Sequence, residues 1–248
     1  MNDVRVDVSG DQGPEQRRAL ITGASRGIGA AIARRLAPTY NLHLGGRTAA
    51  SVAPIVRELP DAQPWPVDLA DHPALMAATV GFDRLDVLIH SAGVAASGRV
   101  DELSGQDWRG VMETNVIAVA ELTRLLLPGL RAAGGHVVLI NSIVGRRVTP
   151  GWSAYSASKF AVRAFADALR QEEPLLRVTS VYPGRVDTEM QRRIVAAEGQ
   201  PYRREELLEP DTVARHVYQL VSTSTDAHPT DLVLWHRGAS PHEQVRER

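Results

Sequence analysis

The 248 residues carry 28 Lys and Arg against 29 Asp and Glu, a net charge of -1 scattered along the chain, which offers no basic surface for nucleic acid or an anionic membrane. The absence of cysteine excludes disulfides, thiolate metal sites and a cysteine nucleophile, and agrees with a reducing, cytoplasmic setting. Hydrophobic residues make up 44%, and no apolar run approaches the length of a membrane span, so a globular protein with a substantial core is expected.

Residues 1–17 are polar with scattered glycine and proline and read as a flexible leader; 239–248 read as a loose tail. Between them short apolar runs at 19–22, 41–45, 64–67, 86–90, 136–141, 177–182 and 231–235 predict strands. The stretches 28–37, 49–58, 71–79, 101–132, 153–171 and 210–222 predict helices, with glycine and proline at the joints. This alternation predicts an α/β, Rossmann-type doubly wound parallel sheet of about seven strands, flanked by helices on both faces, as one domain over 18–238. The polar segment 188–208 breaks the rhythm. A doubly wound sheet binds its ligand beyond the carboxyl ends of its strands, so an insertion there is placed to cover substrate, although a solvated surface helix is an equal reading.

The first predicted strand runs into TGASRGIG, and a helix follows at once. Gly23, Gly27 and Gly29 let the backbone turn sharply and approach a pyrophosphate, whose charge would meet the amides and positive end of that helix. After the second predicted strand, where an acid would bind the ribose hydroxyls of NAD, the chain reads Gly45, Gly46, Arg47, Thr48. With no carboxylate to repel a 2′-phosphate, and with Arg47 and Arg26 available to pair with it, NADP(H) is expected in preference to NAD(H). Further along, YSASK places Tyr155 and Lys159 one helical turn apart on one face, among residues small enough to let a ligand approach.

With these motifs in order, the chain resembles the short-chain dehydrogenase/reductase family, in its compact single-domain branch, over about 18–235. The resemblance implies that the glycine motif holds the cofactor through Gly23, Ser25, Arg26, Gly27, Ile28 and Gly29, with Arg47 beside them. It gives Asp68 the contact to the adenine amino group and places Ala92 and Gly93 of HSAG against the cofactor. Pro183, Gly184, Val186 and Thr188 of PGRVDT would flank the nicotinamide. Asn115, Ser142, Tyr155 and Lys159 match the catalytic set, Tyr155 and Lys159 also contacting the cofactor. Tyr155 would be the general acid and base, Lys159 would lower its pKa from about 10, Ser142 would hold the substrate oxygen, and Asn115 would anchor a water behind the lysine.

His90 stands where the family usually has asparagine and reads as a structural residue ahead of a catalytic one. Metal is not expected. Ser142, Ile143, Val144, Trp152, Tyr155 and Arg185 are the candidates to line a substrate pocket, with Val94 and Ala95 nearby. Their mostly apolar character suits a small carbonyl or alcohol substrate, and Arg185 would suit a carboxylate. The resemblance also implies a homodimer or homotetramer. The expected activity is hydride transfer between nicotinamide and a carbonyl or secondary alcohol; the alternative is a catalytically silent NADP(H)-sensing protein on the same fold.

Overall fold

The computed structural model describes residues 17–59 and 61–238, so the expected leader, apart from Arg17, and the expected tail lie outside the described residues. In chain order the elements are β1 (Arg18–Ile21), α1 (Gly27–Leu36), β2 (Asn41–Gly46), α2 (Ala49–Glu58), β3 (Ala62–Pro66), α3 (His72–Ala78), β4 (Val87–His90) and α4 (Gly105–Met112). They continue with α5 (Ala118–Ala133), β5 (His136–Ile140), α6 (Ser153–Glu172), β6 (Arg177–Pro183), α7 (Glu189–Ala197), α8 (Pro210–Val221) and β7 (Asp231–Leu234).

The seven strands form one parallel sheet in the order β3-β2-β1-β4-β5-β6-β7. Alternate residues of each strand face opposite sides. In β1, Ala19 and Ile21 enter the core shared with α1 and α8, while Leu20 enters the core shared with α5 and α6. Both faces are therefore covered, which is why the strands read as continuous apolar runs. Chain direction along the sheet reverses between β1 and β4, and the carboxyl ends of those two strands open the crevice where such sheets take their ligands. No described helix is long and apolar enough to cross a membrane.

Two predicted elements resolve differently. The helix expected over 101–132 begins only at Gly105, because Ser104 accepts from Asp107 N and Asp107 from Ser104 N, a capping box that fixes the start. It is then interrupted by a π-turn, Glu113–Ile117, before α5. Single π-turns inside helices often mark functional sites, and this one carries Asn115 to a buried position. Within 188–208 the chain forms α7 and a short 3-10 turn, Arg204–Glu206. The segment is closed at its base, where Asp187 N donates to Leu208 O at 2.8 Å and Leu208 N to Arg185 O at 2.9 Å.

Candidate functional site

Every predicted motif comes from a carboxyl end of the sheet or a helix that begins there. At the crevice, Thr22 Oγ1 accepts from Ser91 N at 3.0 Å and Ala92 N at 3.1 Å, tying the end of β1 to the HSAG turn after β4. Gly23 has φ +64°, and a Cβ there would lie 2.7 Å from Ala92 Cα. A Cβ on Gly29 would lie 2.3 Å from Gly23 O, so only glycine lets the first turn of α1 seat this close to the loop. Arg26, the N-cap of α1, is extended and places no side chain on the free amides, and the first turn holds no acid. The result is a narrow cradle whose open amides and positive helix end suit a pyrophosphate. The residues present therefore fit a dinucleotide.

Across the loop, Ala24 N donates to Gly45 O at 2.9 Å, which brings the end of β2 alongside. Arg47 is exposed and makes no ion pair among the described residues, whereas Thr48 is occupied in capping α2 through Ser51. Asp68 is exposed after β3, where Oδ1 accepts from Ala70 N at 3.1 Å. Arg26 is engaged: its Nε lies 3.1 Å from Glu189 Oε2.

Asn115, Ser142, Tyr155 and Lys159 meet beside this cradle. Lys159 is buried on α6 with Nζ donating to Ile140 O at 3.0 Å, and it stands 5.7 Å from the Tyr155 ring centroid. Burial pushes the Lys159 ammonium down to about 8. Ser142, just past β5, is the N-cap of the turn Ile143–Gly145, accepts from Val144 N, and has its hydroxyl in hydrogen-bonding contact with that of Tyr155. That bond favours the phenolate, but burial outweighs it and pushes Tyr155 up to about 12. Trp152, just ahead on the chain, packs edge-on against Tyr155 with ring centroids 5.8 Å apart.

The Asn115 side chain is fully placed. Oδ1 accepts from Val94 N at 2.9 Å, and Nδ2 donates to Val94 O at 2.8 Å and to Ser158 Oγ at 3.0 Å. Ser158 passes its proton to Tyr155 O at 2.7 Å, so Asn115 braces both the loop after β4 and the turn bearing the tyrosine. With both donors used, its side chain serves as a brace. A narrow cavity about one water in size lies beside it, lined by His90, Asn115 and Lys159 among apolar residues. His90 answers to its structural reading. Thr123 Oγ1 donates to Val119 O at 2.7 Å, so it accepts from His90 Nε2 at 2.9 Å, and burial drives His90 down to about 3.

Asn141 was not singled out by its sequence. It is buried, accepts from Ser142 N at 2.8 Å and donates to Lys159 O at 3.1 Å, linking two members of the set through the backbone. A Cβ on Gly145 would lie 2.6 Å from Asn141 Oδ1 and 2.9 Å from Lys159 O, so this glycine admits the close approach of α6. An asparagine ending the apolar run HVVLIN was the signal available.

Pro183 ends β6 and is buried, as are Val186 and Asp187 beyond it, while Gly184 is half-buried. Thr188 caps α7 and sits above the glycine loop, where a Cβ on Gly27 would be 3.3 Å from Thr188 Cγ2. Asp187 accepts from Tyr202 Oη at 2.5 Å, Arg192 at 2.8 Å and Arg204 Nε at 2.9 Å, a knot that holds the segment 188–208 to the end of β6. Arg185, the cation considered for a substrate carboxylate, pairs with Glu198 of the same segment at 3.3 Å in a partly exposed contact. Ile143 and Val144 stand half-buried beside Ser142, and Val94 is exposed at the mouth of the loop after β4. No group of three or more His, Asp or Glu among the described residues is placed to hold a metal.

The sequence model of the family described as short chain dehydrogenase matches residues 17–199. The dehydrogenase/reductase SDR family member 7B of Mus musculus is 37% identical over 199 residues, covering 74% of this chain and 62% of that protein, so the match spans about three-fifths of the relative's length. Among solved structures, an alcohol dehydrogenase from the archaeon Thermococcus sibiricus, complexed with 5-hydroxy-NADP, superposes with a TM-score of 0.84 at 30% identity, covering 92% of this chain and 100% of that one. A variant of actinorhodin polyketide ketoreductase with NADPH gives 0.82 at 27% identity, covering 89% and 96%.

Proposed function

The chain belongs to the short-chain dehydrogenase/reductase family, and from that premise we propose that it is an NADP(H)-dependent oxidoreductase acting on an uncharged carbonyl compound or its secondary alcohol, with Tyr155 as general acid and base. The observation that carries this reading is the meeting of Tyr155 and Lys159 on one face of α6, with Lys159 Nζ 5.7 Å from the tyrosine ring centroid and 3.9 Å from where a Cβ on Gly93 would lie, beside the glycine cradle. When bound, the dinucleotide supplies or accepts the hydride. The chain's own residues do the rest.

In reduction, the substrate oxygen gains electron density and needs a proton. Tyr155, kept neutral at physiological pH by burial, holds that proton on its hydroxyl and gives it to the oxygen. The Ser142 hydroxyl steadies the developing charge, and the Lys159 ammonium, one turn along, offsets the phenolate left behind. Asn115, Asn141 and Ser158 fix the spacing of these groups through the backbone they bind. The preference for NADP(H) is supported by the absence of an acid at the end of β2 in the sequence, by Arg47 there, which makes no ion pair among the described residues, and by the cofactors named for two similar solved structures. Self-association into a homodimer or homotetramer remains part of the proposal.

The uncharged substrate is supported by the mostly apolar surroundings given by Ile143, Val144 and Trp152. Loss of reduced-nicotinamide absorbance, followed across matched panels of ketones, aldehydes and keto acids, tests it. Turnover should be faster with the uncharged compounds; a clear preference for keto acids would contradict this substrate class.

A further inference from the structure

The glycine loop and the covering segment are joined by an ion pair that none of the proposed chemistry uses. Arg26, at the start of α1, points to Glu189, the first residue of α7, with Nε and Oε2 3.1 Å apart. The Thr188 side chain also lies against the loop, since a Cβ on Gly27 would touch Thr188 Cγ2 at 3.3 Å. Elsewhere the segment is held independently. Its base is closed by the Arg185 and Asp187 backbone bonds to Leu208, and the Asp187 side chain gathers Arg192, Tyr202 and Arg204. Glu189 also pairs with Arg193 one turn along α7, so it keeps a cation if Arg26 departs.

Resting on the NADP(H) reading above, we propose that Glu189 holds Arg26 in the free protein and yields it to the 2′-phosphate of the cofactor, so that NADPH, and not NADH, releases the glycine loop's hold on α7. The Arg26 and Glu189 side chains are 59% and 40% exposed, and such solvated pairs are weak and easily exchanged. A phosphate carries more charge than a carboxylate and takes guanidinium in a stronger, bidentate contact. Glu189 is therefore a specificity-determining residue that competes with the cofactor for one cation. It also couples the chemical identity of the cofactor to the segment that covers the substrate.

Full-length protein, alone and saturated with NADPH or NADH, would be compared by amide hydrogen exchange, with both affinities measured for the wild type and Glu189→Gln. Exchange over 189–197 should be faster with NADPH than with NADH. In Glu189→Gln that difference should vanish, NADPH should bind up to about fivefold tighter, and NADH binding should not change. Preferential NADPH binding with identical exchange for both cofactors would overturn the coupling while leaving the cofactor reading intact. Equal effects of Glu189→Gln on the two affinities would overturn the competition. NADH binding as tightly as NADPH would overturn the inference together with the reading beneath it.

Discussion

Arg47 stands exposed at the end of β2 with no carboxylate beside it, next to a glycine loop tied to the same strand by Ala24. A charge-assisted contact is worth about 1.5–3 kcal/mol, so Arg47→Ala should weaken NADPH binding about tenfold or more and leave NADH binding within about twofold. Fluorescence titration of both cofactors checks this, and equal losses would contradict a phosphate contact at this residue. Burial pushes Tyr155 up to about 12, toward the neutral phenol. A phenol held protonated is suited to giving a proton, and reduction is the direction that needs one.

Among the elements, β4 and β5 each carry a buried histidine that braces the sheet in its neutral form. His90 donates to Thr123 of α5. His136 donates to Thr179 of β6, which donates in turn to Pro229 O, and its Nδ1 has no partner to receive a second proton. Burial lowers both histidines from 6.5 to about 3. The unfolded chain therefore binds more protons than the folded one between those values. The stabilisation is complete above about pH 6.5 and falls as pH drops toward 3, by up to about 3 kcal/mol per pH unit with both sites counted. Denaturant unfolding measured from pH 7.5 to 4.5 should show that slope, and His136→Gln should remove about half of it; an unchanged slope in the variant would contradict this origin. Strand and helix identity was legible because both faces of the sheet are covered and the joints carry glycine and proline. The π-turn was not legible, since Glu113–Ile117 continues the apolar pattern of the helices around it and only the pull of Asn115 toward Val94 and Ser158 sets it apart. Within 188–208 the links of Arg204 to Asp187 and of Glu189 to Arg26 join residues distant in sequence, which no local pattern reports.

At the scale of the whole molecule, the reversal of strand order between β1 and β4 turns scattered motifs into one site. Glycines after β1, the HSAG turn after β4, Ser142 after β5 and Thr188 after β6 all issue from the same edge, so their order in the sequence already pointed to a shared crevice. The supporting residues were hidden for a physical reason. Asn141, Ser158 and Gly145 act through backbone atoms of distant elements, and no local pattern reports such contacts. The central claim, that this edge performs proton-coupled reduction through Tyr155, is tested most directly by one comparison. Wild-type protein and Tyr155→Phe would be titrated with NADPH and then followed by absorbance with the best uncharged ketone of the panel. The account predicts similar NADPH binding by both, with turnover in Tyr155→Phe reduced at least about a hundredfold, the scale of a lost general acid. Turnover retained in Tyr155→Phe with NADPH bound would contradict it.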